Sequence, residues 1–204
     1  MNSFHQALNS FFSFDELAIL TNAHIGIAGL GGLGSNVAML LVRCGIEHFT
    51  LVDFDIVEAS NLNRQFYFPE DLGLPKVEAL SRQMMRLNPS IHIDKKQLRL
   101  SKHNVDSILA ACRIWVEALD EAESKALFVQ QALLNHHAVA AASGICGYGG
   151  ELLGSRTLGN LTVVGDFKTD METAPPLAPR TNWAASMLAD VVLSLLLGPK
   201  KGNF

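Results

Sequence analysis

The sequence predicts an α/β protein whose mainly parallel sheet is covered by helices. Three observations carry that expectation. Strand-like and helix-like segments alternate through the first two thirds of the chain, a glycine-rich turn joins the first strand to the first long helix, and acidic residues fall where strands end. The 204 residues suffice for one well-buried core and are short for two.

The elements follow in order. Ser13 with Asp15 and Glu16 reads as the start of a short helix over 14–20. HIGIAG (24–29) is a brief strand entering the glycine turn, and residues 33–44 are helical until Gly45 stops them. HFTLV (48–52) is a second strand, ending on Asp53. Residues 54–75 form an irregular polar and aromatic loop, long enough to imply a task. Pro75 suits a helix start, so 76–87 is helical and ends before Asn88-Pro89. Strands at 91–96, 113–118 and 138–142 alternate with helices at 103–111, after Ser101 as cap, and at 124–135. The segments GICGYGGELLG and GNLTVVGDF read as turns with a short hairpin or crossover, a small mixed or antiparallel extension of the sheet. The proline-rich APPLAPR then leads into a closing helix over 182–197. That helix is apolar, but it is interrupted by Asp190 and shorter than the roughly 20 apolar residues of a membrane span. Trp115 reads as core; Arg180 with Trp183, and Phe11, Phe12 and Phe14, are expected to pin the two ends of the chain to the domain.

Gly29, Gly31, Gly32 and Gly34 make GLGGLG directly between strand and helix, so phosphates can approach the helix amino terminus. Asp53 follows Gly34 by nineteen residues and is placed to accept hydrogen bonds from ribose hydroxyls. The fold expectation is therefore a Rossmann-like nucleotide-binding one. NAD, FAD and ATP can all lie on such a scaffold. There is no GxxxxGK[ST] loop, which removes the common phosphate-loop ATPases.

The long loop separates the remaining options. DFDIVEASNLNRQ carries Asp55, Asn61, Asn63, Arg64 and Gln65, and Lys76 follows twelve residues after Arg64. Two cations beside a nucleotide suit phosphoryl or nucleotidyl transfer and make much less sense around a nicotinamide ring, whose hydride chemistry needs no such pair. A lysine in a first helical turn is mildly unfavourable against the helix dipole, so an anion beside Lys76 is expected.

Taken together, IAGLGGLGSN, LVDFDIVEASNLNRQF, GLPKVEAL, the following LNP and the strand ending in ALD resemble the ThiF/MoeB/HesA family of ubiquitin-activating-like adenylating enzymes. GICGYGG, VVGDF and LAPR look like its short ThiF-like branch. The resemblance implies one adenylating domain over 1–204, with a helical segment at 1–23, a nucleotide-binding core at 24–144 and a crossover with closing helix at 145–204. It implies that Gly31 and Gly32 lie against ATP, with Gly29 and Gly34 in the same turn. Asp53 would bind ribose, and Asp55, Asn61 and Asn63 would belong to the nucleotide set. Arg64 and Lys76 would contact the triphosphate and act in catalysis, and Asp120 would place Mg2+. The implied reaction is adenylation of the C-terminal glycine of a small sulfur carrier ending in Gly-Gly, serving thiamine biosynthesis, by a cytoplasmic homodimer. The apolar stretch 40–46 and the SNLNRQF loop would serve its interface or the core.

The chain departs from that family in places. It lacks two CxxC pairs, so structural zinc is not expected; its three cysteines, Cys44, Cys112 and Cys146, read as free thiols. Glu121 stands where asparagine is usual, Lys125 where arginine is common, and no arginine precedes Arg43. Cys146 falls early for a covalent cysteine. The formal net charge of −4 and the absence of a dense basic block argue against nucleic acid as the main partner. The start MNSFHQALNSFF has no signal-like apolar core. Two other readings stand beside the enzyme: a non-catalytic relative that binds nucleotide or carrier, and an NAD-dependent oxidoreductase.

Overall fold

The computed structural model describes residues 3–170, 172 and 174–198; Met1, Asn2 and 199–204, the outer ends of the expected domain, lie outside them. Helices α1 (Ser3–Leu8) and α2 (Phe14–Asn22) lead into β1 (His24–Ala28), α3 (Gly32–Arg43) and β2 (His48–Val52). Then follow α4 (Lys76–Leu87), β3 (His92–Lys96), α5 (Val105–Leu109), β4 (Ile114–Glu117), α6 (Ala122–Leu134) and β5 (Ala138–Ala142). The chain closes with β6 (Gly154–Leu158), β7 (Leu161–Gly165) and α7 (Ala178–Leu197).

These strands form one sheet in the order β3-β2-β1-β4-β5-β7-β6, parallel throughout except for β6 against β7. The antiparallel extension is thus the hairpin Gly154–Gly165. The order reverses between β1 and β4, and a crevice opens beyond the carboxyl ends of strands at such a point. Among the described residues, no helix is long and apolar enough to cross a membrane.

Two layers of helix bury the sheet. On one face α2, α3, α4 and α7 enclose a core that includes Leu20, Ile25, Val37, Leu41, Leu80 and Leu188, with α3 packed along α7. On the other, α5 and α6 cover Trp115, Phe128, Val139 and Leu109. Trp115 fits only because Gly26, beside it on β1, has no side chain: a Cβ there would overlap the indole. Its Nε1–H donates to Cys112 O at 3.1 Å, so the buried indole keeps a partner. The two edges are blunted differently. β3 is charged and largely exposed, with Asp94, Lys95 and Lys96, and β6 is exposed along its whole length.

Several local expectations change. The closing helix starts four residues earlier than its spacing indicated, with Pro179 in its first turn, where a missing N–H costs nothing. The fifth helix contracts to Val105–Leu109. Ser101 does not cap it; instead, its own N–H bonds Asn104 Oδ1 at 2.8 Å in the turn that precedes it. Phe12 packs on the core, whereas Phe11 and Phe14 are 77% and 84% exposed. Leu41, Val42 and Ile46 are fully buried in the chain's own core, so those side chains of the stretch 40–46 are not free for a partner.

At the edge opposite the crevice, His24, His48 and His92 begin three neighbouring strands in register, and the rings of His48 and His92 stack at 5.0 Å. Burial and the adjacent His48 hold the His24 pKa below its usual 6.5, against an opposing pull from Asp94. The folded chain therefore resists a proton that the unfolded chain accepts. This contribution to stability is intact above pH 6.5 and is lost as pH falls through that value toward the lowered one. Melting curves recorded from about pH 7 down to about pH 5.5 should show a midpoint falling by a few degrees, with a shallower fall in His24→Gln.

Candidate functional site

The glycine turn is held by backbone. Gly29 N–H donates to Val52 O at 2.8 Å, and Ala118 N–H donates to Ala28 O at 2.8 Å, joining the ends of β1, β2 and β4. Gly29 has φ +89°, and a Cβ on it would strike the Ala118 carbonyl. A Cβ on Gly34 would overlap the Gly29 carbonyl, because α3 packs directly over the turn. Gly31 is the N-cap of α3 with no side chain to cover the helix end, which leaves the first-turn N–H groups without intrahelical acceptors.

The long loop is bolted onto this turn. Asn36 Nδ2 donates to Arg64 O at 2.9 Å, Phe66 N–H to Ser35 Oγ at 2.9 Å, and Tyr67 Oη–H to Leu30 O at 2.8 Å. Its base is closed by an antiparallel bridge between Ile56 and Pro75. Asn61 caps a turn inside the loop, its Oδ1 accepting from Glu58 N–H at 3.0 Å, and Asn63 Oδ1 accepts from Arg64 Nη1 at 2.8 Å. Ser35 and Asn36 are the anchoring residues that sequence reasoning passed over; Tyr67, whose sequence reading left loop packing or an apolar wall for the acceptor's tail open, packs the loop. The Ser-Asn pair following the glycines is the signal that marks Ser35 and Asn36.

A cavity of about 450 Å³ lies at the crevice. Of the expected residues it brings together Gly29, Gly31, Gly32, Asp53, Asp55, Arg64, Lys76 and Asp120; Gly34, Asn61 and Asn63 stand behind it as turn and loop supports. Its β3–β2 end is apolar, with Phe54, Leu98, Leu100 and Leu119, and its β5–β7 end carries Ser143, Ile145, Cys146, Thr169 and Pro176.

Asp53 is buried, and its two oxygens accept from Leu30 N–H at 2.6 Å and Asp55 N–H at 2.8 Å. A carboxylate has about four acceptor positions, so capacity remains for a ligand hydroxyl. Burial raises its pKa, opposed chiefly by Lys76. Lys76 opens α4 with its ammonium 2.8 Å from Asp55 Oδ2. The anion that the helix dipole calls for is thus supplied by the chain itself. Arg64 donates to Ser60 O at 3.1 Å and to Asn63, and it has no carboxylate partner among the described residues. Asp120 is exposed at the cavity with no ion pair among the described residues, and Glu121, not Asp120, occupies the N-cap of α6.

Two of the departures find partners. The Glu121 carboxylate accepts from Arg99 at 2.7 Å, and that guanidinium lies 4.2 Å over the Phe54 ring. The extra negative charge is therefore compensated at the cavity mouth. Lys125 is 2.6 Å from the fully buried Glu117, so its charge ties α6 to the end of β4. Cys146 is buried and its thiol pKa is raised by burial, which keeps it protonated and a poor nucleophile. Burial pushes Cys112 up to about 12.

Buried polar groups at the β5–β7 end hold the closing segment. Arg180 donates to Asp166 at 2.6 Å and to Glu151 O at 3.1 Å, while Asp166 also accepts from Lys168 and Thr169 N–H, both at 2.9 Å. Arg180 thus pins α7 as anticipated; Trp183 beside it stays 39% exposed.

Residues 4–203 match the ThiF family. The chain belongs to the ThiF family. Two ubiquitin-like modifier-activating enzymes 5 are similar to this ThiF-family chain. That of Drosophila pseudoobscura pseudoobscura is 40% identical over 87 residues, and that of Caenorhabditis elegans is 46% identical over 88. Each match covers 42–43% of this chain and only 21–22% of the relative, so the aligned region is about a fifth of those proteins. Among solved structures, Escherichia coli tRNA N6-threonylcarbamoyladenosine dehydratase in complex with ATP superposes with TM-score 0.86 at 19% identity, covering 94% of this chain and 93% of that one. E. coli MccB with ATP superposes with TM-score 0.73 at 21% identity, covering 89% and 58%. At such identities these two establish the fold alone.

Proposed function

We propose that this ThiF-family chain adenylates the C-terminal glycine carboxylate of a small ubiquitin-like sulfur carrier, releasing pyrophosphate, for thiamine biosynthesis. The observation that carries the reading is the gathering of Gly31, Gly32, Asp53, Arg64, Lys76 and Asp120 around one cavity at the α3 amino terminus. The relatives named as ubiquitin-like modifier-activating enzymes support an acceptor of ubiquitin-like form, and the ATP complexes of the structural neighbours support ATP as the nucleotide.

In this reading Asp53 receives the ribose and the apolar residues Phe54, Leu98 and Leu119 receive the base. The first turn of α3 faces the phosphates. The acceptor carboxylate attacks the α-phosphorus; the new bond is carboxyl oxygen to phosphorus, and the bond to the departing pyrophosphate breaks. A carboxylate attacks without losing a proton, so no general base is required. Arg64 and Lys76 balance charge on the phosphate oxygens as it shifts toward the leaving group. Among the described residues no group of three or more acidic, His or Cys side chains forms a metal cage. A single carboxylate, Asp120, fits Mg2+ carried in by phosphates, where the ion would neutralise leaving-group charge.

The test is ATP–pyrophosphate exchange by the full chain with Mg2+ and carriers ending in Gly-Gly. Exchange should require the terminal glycine and should drop by about tenfold or more in Asp120→Ala. ATP binding without exchange for any carrier would instead favour a nucleotide-binding regulator, the reading to which the Lys76–Asp55 pair lends weight. Tight NAD binding with no ATP binding would sink the proposal.

A further inference from the structure

A chain of side-chain contacts crosses the β3–β2 end of the cavity. Arg99 lies three residues beyond β3 and Glu121 four beyond β4, and their side chains meet at 2.7 Å. In the sheet order β2 and β1 stand between those two strands, which are therefore about 14 Å apart, three strand spacings. The pair thus spans the carboxyl ends of β2 and β1, where Asp53 and the glycine turn lie. Along the way the Arg99 guanidinium sits 4.2 Å from the ring centre of Phe54, two residues beyond β2. Arg99, Glu121 and Phe54 all line the cavity, beside the apolar Leu98 and Leu119. The roots of the pair are fixed: Arg99 O accepts from Asn104 Nδ2 at 3.0 Å, and the second Glu121 oxygen accepts from Ser124 Oγ at 3.0 Å. The link between them can break. Its side chains are 57% and 48% exposed, and an ion pair so open to water contributes little to the fold.

We infer that the Arg99–Glu121 pair is a strap over the nucleobase, which makes the site select a nucleotide over a base-free polyphosphate. The inference rests on the adenylation reading, in which Phe54, Leu98 and Leu119 receive the base. Opened, the strap bares the apolar end of the cavity to an arriving ligand. Once a base fills that end, water leaves one side of the pair. The local dielectric falls, and both the ion pair and the contact of Arg99 with aromatic faces strengthen. Base and strap stabilise one another, so by linkage whatever opens the strap weakens the nucleotide. Phosphates at Arg64, Lys76 and the start of α3 offer the strap no flat apolar face and gain nothing from its closure. Glu121, where the family usually has asparagine, supplies the anion that the strap needs.

Calorimetric titration of the full chain, with Mg2+ and either ATP or inorganic tripolyphosphate, tests this. Arg99→Ala and Glu121→Gln should each weaken ATP binding by about fivefold. The double variant should do little worse than either alone, because the same link is lost in all three. A mere change of field has a different signature: losing a cation would weaken a polyanion, and losing an anion would tighten it. A shift in the same direction for both variants therefore reports the strap. Tripolyphosphate, with no base to cover, should show no common weakening, whereas a structural loss would lower both ligands together. If ATP binding holds in both variants, moves oppositely, or is matched by a parallel loss of tripolyphosphate, the inference is wrong while the nucleotide reading stands. Failure of the wild-type chain to bind ATP at all would bring down both.

Discussion

Arg64→Ala is expected to lower carrier-dependent pyrophosphate exchange by about 10²–10³-fold, the usual cost of removing one preorganised donor from developing charge. The expectation rests on what holds the guanidinium. Its hydrogen bonds go to Ser60 O and Asn63 Oδ1, both within its own loop, so it stands at the cavity already oriented and with no carboxylate partner among the described residues. The same contacts predict a small structural effect, with stability changed by no more than about 0.5 kcal/mol. Arg64→Lys should recover only part of the rate, because an ammonium cannot reproduce the planar fork that grips two phosphate oxygens. Comparable exchange in the wild-type and alanine chains would remove Arg64 from the mechanism.

Gly34→Ala is expected to destabilise the fold by about 3 kcal/mol, at the upper end for overpacking, and to abolish exchange. The added methyl would overlap the Gly29 carbonyl, which is backbone and cannot swing aside. Either α3 lifts off the turn or the turn moves, and in both cases the helix end that would face the phosphates in the proposed reading shifts. Gly154→Ala is the control. Nothing lies within 4 Å of a Cβ there, and its stability should stay within about 0.5 kcal/mol of wild type. Urea denaturation of both proteins measures the contrast, and similar midpoints would refute the steric argument.

The parallel core of the sheet was readable because each strand from β1 to β5 is a short apolar or alternating run followed by a turn or helix signal. The glycine turn and Asp53 were readable because local chemistry fixes them: only small residues permit the turn, and the acid lies where β2 ends. What escaped depends on contacts distant in sequence. Phe11 and Phe14 look like anchors in composition and are exposed. Lys76 was matched to an external anion, whereas Asp55, twenty-one residues earlier, meets its ammonium directly. Glu121 reads only as a departure from the usual asparagine, because its partner Arg99 lies twenty-two residues away in sequence. Ser35 and Asn36 could not be ranked, since their tasks exist only once the loop folds back on α3. The closing helix began early because a proline in a first turn is no obstacle, though it reads as a breaker elsewhere.

The Lys76–Asp55 pair makes the site a competitive one. A phosphate that takes the ammonium must displace a carboxylate held at 2.8 Å, so its affinity is the difference between two attractions. A weakly charged anion gains little from the exchange, whereas a polyphosphate brings enough charge to Arg64, the helix end and Lys76 together to shift the lysine from one partner to the other. On the proposed reading the resting pair would act as a threshold on charge, favouring a triphosphate over orthophosphate at Lys76.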